Sequence, residues 1–178
     1  MKRHLAITLL ALLAFVSTAL SQQSAAKPPQ DCRSFVQQFY EWYAPAAAHD
    51  RGRTWETAVK RKPAEFSPEL AQAIERDSAA QAKTSDDIVG LDFDPFLSSQ
   101  DPSGRFTLKQ VKEQGNTCSA TLVSGPANRK GEDVTAVLER VDGNWRFANF
   151  QYSNEQMDLM QLLKQMEADR KADGTQKK

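Results

Sequence analysis

The periodicity of the sequence changes at residues 91–101, which read LDFDPFLSSQD. Before this stretch apolar residues recur at helical spacing, and after it they alternate with polar residues as in β-strands. Within it, Asp92 and Asp94 alternate with apolar residues, and Pro95 interrupts regular structure. Helical segments followed by strands predict an α+β domain rather than an alternating α/β domain. The stretch is therefore expected to join the two halves of one fold.

Three helical segments are predicted before this stretch. The first follows Asp31, which suits the capping position, and carries aromatic residues at intervals of three and four. The second covers residues 55–62 and ends before a proline. Ser67 caps the third helix and Pro68 occupies its first position. Its helical spacing continues through Leu70, Ala73, Ile74 and Asp77 to about Lys83.

Four strands are predicted after the stretch, because apolar and polar residues alternate in four segments, 105–111, 117–123, 134–139 and 145–152. Gly115-Asn116 joins the first pair, and a polar loop at 125–131 joins the second pair. Asp142-Gly143 is typical of a two-residue hairpin turn. Successive strands with short connections predict an antiparallel sheet of about four strands.

A further amphipathic helix is predicted at residues 154–170. Its apolar stripe contains methionines and leucines, among them Met157, Met160 and Leu163. Such a helix is expected to dock on its own domain, although methionine surfaces also suit a protein partner or a homodimer. Residues 171–178 are charged and are predicted to be a disordered tail.

The N-terminal 21 residues have the layout of a secretory signal peptide. Lys2 and Arg3 precede an apolar segment, and small residues surround Ser21, after which cleavage is expected. The apolar segment at residues 5–20 is shorter than the roughly 20 residues that a membrane span needs. Residues 22–30 form a polar, proline-containing lead-in. The sequence therefore predicts a periplasmic or secreted domain at residues 31–153, with no membrane span after cleavage.

Composition excludes several classes of function. The chain has 178 residues with 23 basic and 23 acidic side chains, and cleavage would remove two basic residues and no acidic one. Nucleic-acid binding is not predicted, because it requires a clustered basic surface. The absence of a Ser-His-Asp pattern and of a glycine-rich phosphate loop counts against an enzyme, and no cofactor is predicted.

Cys32 and Cys118 are the two cysteines of the chain. An even pair in an exported protein indicates one disulfide, which would join the first helix to the second strand. The alternative is two buried free thiols, because cysteine also packs as a small apolar residue. A metal site is not predicted, since only His49 remains after cleavage and no cysteines are closely spaced.

Four blocks together carry a family resemblance: FVQQFYEWY at 35–43, FSPEL at 66–70, LDFDPFL at 91–97 with Gln100-Asp101, and DGNWRF at 142–147. In this order they resemble bacterial envelope proteins of unknown function, typified by YbjP and YqhG, in the NTF2-like superfamily. The resemblance covers about residues 32–152. This chain differs from some relatives because it has an extra C-terminal helix and lacks a lipid-attachment cysteine.

The resemblance implies a cone, in which N-terminal helices pack on a strongly curved antiparallel sheet that opens at one end to a pocket. Relatives in the superfamily include enzymes and pure binding modules, so the fold leaves the function open. Ligand-pocket candidates are Trp42, Phe93 and Trp145.

Two functions are compatible with these residues. In an isomerase- or dehydratase-like enzyme, Asp92 or Asp94 would transfer a proton, and Tyr40 or Tyr43 would stabilise an oxyanion. In a non-catalytic module, the aspartates would accept main-chain N–H groups in a loop, and the domain would hold a small apolar ligand or an envelope protein. An inhibitor or immunity protein is one form of such a module. We favour the binding module, because it requires only a pocket or an exposed edge.

Overall fold

The structure is a computed structural model. It describes residues 30–50, 52–84, 88–125, 133–153 and 156–176, with side chains as far as residue 173. The predicted signal peptide, residues 22–29 of the predicted lead-in and most of the predicted 125–131 loop lie outside the described residues.

The described part of the chain is an α+β fold, as predicted. Its elements in order are α1 (Cys32–His49), α2 (Thr54–Arg61), a 3₁₀ turn (Pro63–Glu65), α3 (Pro68–Gln81), β1 (Phe106–Gln114), β2 (Thr117–Ser124), β3 (Val134–Val141), β4 (Asn144–Tyr152) and α4 (Leu159–Gln176).

The predicted helix caps are confirmed. The Asp31 carboxylate accepts a hydrogen bond from the Ser34 amide at 2.9 Å, and α1 begins at the next residue after Asp31. The Ser67 hydroxyl accepts one from the Leu70 amide at 3.2 Å, with Pro68 in the first turn of α3. Both caps satisfy amides that have no partner within the helix, so the sequence itself determines where α1 and α3 begin.

The four strands form one antiparallel sheet in the order β1-β2-β3-β4. Asp142 and Gly143 both have positive φ, 51° and 78°, which is the two-residue turn that the Asp-Gly pair predicted. The register shifts between Leu108 and Gln110 in β1, and again where β4 has an additional residue, Ala148. Both outer strands therefore contain a bulge, and bulges bend a strand and increase its twist.

Aromatic side chains join α1 to one face of the sheet. The ring centroid of Phe147 lies 4.7 Å from that of Phe39 and 5.3 Å from that of Phe35, and Phe106 lies 5.3 Å from Tyr40. Such rings bury large apolar areas, so this interface contributes much of the core. The start of α3 joins the same sheet, because the Ser67 amide donates to the Phe147 carbonyl at 2.8 Å.

A disulfide between Cys32 and Cys118 connects the first residue of α1 to β2 across 86 positions of sequence. The two Cα atoms are 6.6 Å apart, and both side chains are buried in the core. The structure therefore has the disulfide, and not the alternative of two free thiols.

The predicted bounds of the last helix were wrong at both ends. Helix α4 begins at Leu159, because Asp158 and Gln161 form a capping box: the Gln161 amide donates to the Asp158 carboxylate at 2.9 Å, and the Asp158 amide donates to Gln161 Oε1 at 3.0 Å. Residues 154–155 lie outside the described residues. At the other end the helix runs through Lys171 to Gln176, into the segment predicted to be disordered.

Most of the predicted apolar stripe is confirmed, because Leu163 lies in the core and Met160 and Met166 pack against it, and Met157 is the exception. Met157 precedes α4 and is 42% exposed, whereas Leu159 and Leu163 are the buried residues of this helix. These leucines belong to the hydrophobic core, so α4 docks on its own domain. No helix in the described ranges is both long enough and apolar enough to span a membrane.

Candidate functional site

The stretch at 91–101 contains a closed turn that begins at Asp94. The Asp94 amide donates to the Ser99 carbonyl at 2.7 Å, and the Ser99 amide donates back at 3.3 Å. One carboxylate oxygen of Asp94 accepts from the amides of Phe96 and Leu97, at 2.9 and 3.1 Å. Ser98 has a φ of 51°, in the left-handed region, just before the antiparallel pairing of Asp94 with Ser99. Asp94 therefore organises its own turn, as aspartates often do.

Three tyrosines hold this turn, and they are the three tyrosines of the chain. Tyr43 donates to the second carboxylate oxygen of Asp94 at 2.6 Å. Tyr152 donates to the Pro95 carbonyl at 3.1 Å, and Tyr40 donates to the Phe96 carbonyl at 2.7 Å. Three consecutive residues of the turn thus each receive one hydroxyl. We call Tyr40, Tyr43 and Tyr152 the tyrosine clamp.

Burial determines the proton equilibria of this cluster. The Asp94 side chain is 3% exposed, and burial raises its pKa to about 6, against the opposing effect of its three hydrogen bonds. Burial and the neighbouring Asp94 raise the pKa of Tyr40 and of Tyr43 well above its usual value. Both tyrosines are therefore neutral donors at any physiological pH.

These contacts limit what the predicted catalytic residues can do. One carboxylate oxygen of Asp94 accepts from amides of the turn and the other accepts from Tyr43, while Tyr40 donates its hydroxyl proton to the Phe96 carbonyl. A general base needs a free lone pair within reach of a substrate proton, and an oxyanion donor needs a free proton. In this geometry Asp94 accepts the main-chain N–H groups of its own loop.

Asp92 has a different environment from Asp94. Its side chain is exposed, and its carboxylate accepts from the Gln100 amide group at 3.4 Å. The turn that follows at Pro95 buries one aspartate and leaves the other in solvent, so they do not act as a pair. Among the described residues, no three His, Cys, Asp or Glu side chains are grouped as a metal site would require.

Two grooves lie on either side of the turn. The larger has a volume of about 730 Å³, and it is bounded by the end of α1, the start of α2 and residues 88–102. The smaller has a volume of about 400 Å³ and lies between the turn and the segment that leads into α4. Four residues line both grooves, and we call them the ridge: Asp92, Phe93, Ser99 and Gln100.

Within the ridge, Phe93 makes the contact with the tyrosine clamp. Its half-buried ring packs edge-on against Tyr152, with centroids 5.6 Å apart. Phe93, a ligand-pocket candidate from the sequence, lines both grooves. Trp42 and Trp145 do not line either groove: Trp42 lies under the Lys62 ammonium at 5.1 Å, and buried Trp145 lies under the Arg140 guanidinium at 4.2 Å.

The grooves combine exposed carboxylates with exposed apolar side chains. Asp50 and Asp101 line the larger groove together with Asp92. Ile88 in the larger groove is 74% exposed, and Met157 in the smaller groove is 42% exposed. In the part of the chain that the structure describes, these are the two large hydrophobic side chains that are exposed.

Residues 89–91, beside the larger groove, are held by α3. The Leu91 amide donates to the buried Asp77 carboxylate at 2.9 Å, and the Val89 and Gly90 amides donate to Gln81 Oε1 at 2.9 and 3.0 Å. A Cβ on Gly90 would lie 2.9 Å from Asp77 Oδ2, so glycine is required for this close approach. The segment is therefore attached to α3 through its main chain.

Two arginines complete the attachment of this segment. Arg170 of α4 donates to Asp77 at 2.8 Å and to the Val89 carbonyl at 2.7 Å. Arg53 at the start of α2 donates to the Leu91 carbonyl at 3.1 Å. Three helices thus fix the position of residues 89–91 and of the groove wall that they form.

Sequence reasoning missed Tyr152, Arg53 and Arg170 at this site. Tyr152 follows Phe150 at strand spacing, which places it on the inward face of the sheet. A buried tyrosine needs a hydrogen-bond partner for its hydroxyl, so the sequence did carry a signal that Tyr152 makes such a contact. Asp77 also gave a signal, because it stands at the helical spacing of buried residues. Nothing local distinguishes the two arginines from other charged residues of their helices.

No protein-family model, curated protein or solved structure matches this chain. The resemblance to the YbjP and YqhG proteins therefore stays a hypothesis.

Proposed function

We propose that this protein is an exported, non-catalytic binding module of the cell envelope, and that the ridge with its two grooves is its binding surface. The observation that carries the proposal is the contrast between two neighbouring sets of residues. The candidate catalytic groups Asp94, Tyr40 and Tyr43 satisfy one another and the main chain. The ridge beside them lines two grooves, which also contain exposed apolar residues.

The proposal includes an NTF2-like cone as the fold. It is supported by the helix-then-sheet order and by the register shifts in β1 and β4, because bulges curve a sheet. The packing of α1 against the sheet through Phe39 and Phe147 also supports it. In this proposal the tyrosine clamp fixes the turn at the open end of the cone.

The export of the protein is supported by two observations. Residues 1–21 have the signal-peptide pattern. The disulfide between Cys32 and Cys118 is of the kind that forms and persists in oxidising compartments. An inhibitor or immunity protein, which binds one partner in the envelope, is a specific form of this module.

An acid/base enzyme is the second candidate, and one observation favours it. Asp94 lines the larger groove and has a pKa of about 6, and carboxylates with such raised values occur at catalytic sites. The three hydrogen bonds that Asp94 accepts count against this candidate, because a catalytic base has to exchange them for contacts with a substrate.

Site-specific photo-crosslinking tests the binding proposal. A benzoylphenylalanine replaces exposed Gln100 on the ridge in one variant, and exposed Gln72 on α3 in the control variant. After irradiation of cells that export each variant, mass spectrometry should find a discrete adduct, small molecule or protein, from the Gln100 position alone. The proposal fails if both positions give the same products, or if neither position gives an adduct.

A further inference from the structure

We infer that the ridge and its two grooves dock an extended, positively charged peptide that carries apolar side chains. This inference rests on the proposed binding function and names the class of partner. It is carried by the charge of the grooves, by the placement of two apolar side chains, and by the shape of the surface.

The charge of the larger groove is complementary to a basic peptide. Three exposed carboxylates, those of Asp50, Asp92 and Asp101, face it. Of the described residues that line it, Arg53 is the one cation, and its guanidinium is engaged by Glu56 at 2.8 Å and by the Leu91 carbonyl at 3.1 Å. The free charge that these described residues offer is therefore negative, and it attracts lysine or arginine side chains.

The apolar part of the surface is distributed over both grooves. Ile88 contributes a largely exposed side chain to the larger groove, and Met157 contributes one to the smaller groove. Phe93 lines both grooves between them. A cation without apolar groups would leave these side chains in water, whereas a peptide with apolar side chains would cover them.

The shape of the surface favours an extended chain. In an extended peptide successive side chains point to opposite sides. A peptide main chain that lies along the ridge would therefore place alternate side chains in the larger and the smaller groove. Asp92 and Gln100 are exposed on the ridge and can hydrogen-bond to such a main chain. An extended segment is recognised in this way by main-chain contacts together with side-chain pockets.

Selection from a displayed library of random heptapeptides tests this inference with the full-length exported protein. We expect the recovered peptides to be enriched in lysine or arginine together with leucine, isoleucine or phenylalanine. Synthetic copies of them should shift the amide NMR signals of Ile88, Gln100 and Met157. Acidic peptides with the same apolar residues should not shift these signals.

Two double variants test whether the peptide is bound by the carboxylates of the site or attracted by the net charge of the protein. Asp92→Asn/Asp101→Asn should weaken binding of the selected peptides by about tenfold or more at low ionic strength. Glu75→Gln/Asp142→Asn removes the same charge at exposed positions outside both grooves and should change binding by less than about twofold. Ile88→Ser should also weaken binding, because it removes an apolar contact. Equal melting temperatures of all variants would show that each is folded.

The inference is overturned if the library yields no enriched peptide, if neutral or acidic peptides are enriched, or if both double variants bind equally well. A small-molecule adduct at Gln100 together with an empty peptide selection would overturn this inference and leave the binding function intact. The absence of any adduct and of any selected peptide would overturn both.

Discussion

At the scale of single residues, Asp94 is the side chain on which the site depends. Three donors surround its carboxylate, the Tyr43 hydroxyl and the amides of Phe96 and Leu97. These contacts stabilise the ionised form, whereas burial disfavours it, and the pKa of about 6 indicates that burial has the larger effect. The turn is therefore more stable with a neutral Asp94.

The pH dependence of stability follows from this balance. Below pH 3.8, the reference pKa, Asp94 is protonated in the folded and unfolded states, and above about pH 6 it is ionised in both. Between these values the folded state keeps the proton while the unfolded state releases it, so the stabilisation is lost as the pH rises. A difference of about two pKa units corresponds to a loss on the order of 3 kcal/mol.

Asp94→Asn isolates this effect, because asparagine stays neutral and its Oδ1 can still accept from Phe96 and Leu97. We measure the free energy of unfolding of both proteins by denaturant titration from pH 3.5 to 7. As the pH rises, the value for the wild type should fall relative to that for the variant. Taking the difference at each pH cancels the titration of all other carboxylates. If the stability of the wild type stays level with that of the variant, or rises relative to it, as the pH increases, burial does not outweigh the hydrogen bonds.

The sequence predicted which residues of this cluster matter, but not how they meet. Tyr40, Tyr43 and Asp94 were candidates because of their local patterns. The hydroxyl contacts of Tyr43 and Tyr40 join positions 51 and 56 apart in sequence. Such convergence depends on the angle between α1 and the turn, which periodicity does not encode. The sequence alone therefore left a catalytic role open for these groups beside the favoured structural one.

At the scale of elements, local signals were sufficient wherever a cap or a turn residue marked a boundary. Asp31, Ser67-Pro68 and Asp142-Gly143 each occupy the predicted position. The start of α4 carried a signal of the same kind, the capping box of Asp158 and Gln161. The methionine spacing led to a prediction that α4 begins earlier, because apolar periodicity alone does not show where a helix starts.

Arg170 makes α4 part of the groove wall, because it joins Asp77 of α3 to the Val89 carbonyl. Arg170→Gln would leave the Asp77 carboxylate, 2% exposed, without its cationic partner. We expect a loss on the order of 3 kcal/mol in the free energy of unfolding, the lower end of the range for breaking a buried pair, because Arg170 is 21% exposed. The amides of Val89, Gly90 and Leu91 should also exchange hydrogen faster.

Lys171→Gln is the matched control in the same turn of α4. Lys171 is 74% exposed and pairs with Glu167, and exposed pairs of this kind contribute less than about 1 kcal/mol. Denaturant titration and hydrogen exchange of both variants test the prediction. Equal effects of the two substitutions would contradict a specific role of Arg170 in holding residues 89–91.

At the scale of the whole molecule, the order of helices and strands predicted the fold class, and the cysteine count predicted the disulfide. The grooves could not be predicted, because they lie where the end of α1, the start of α2, the ridge and the entry to α4 meet. Ile88 illustrates this limit. Its sequence neighbours give no indication that it stays exposed, which depends on how the surrounding elements pack.

The disulfide between Cys32 and Cys118 links the helical half of the molecule to the sheet over a long loop. Such a cross-link limits the conformations of the unfolded chain, so its removal should cost about 2–5 kcal/mol.

Cys32→Ala/Cys118→Ala also removes two buried sulfur atoms from the core, which has a separate cost. The wild type, unfolded with and without a reducing agent, keeps both sulfur atoms and therefore isolates the effect of the bond. We expect reduction to lower the free energy of unfolding by about this amount, and the double variant to be less stable than the reduced wild type. If the oxidised and reduced wild type unfold at the same denaturant concentration, the loop that this disulfide closes contributes nothing to the stability of the fold.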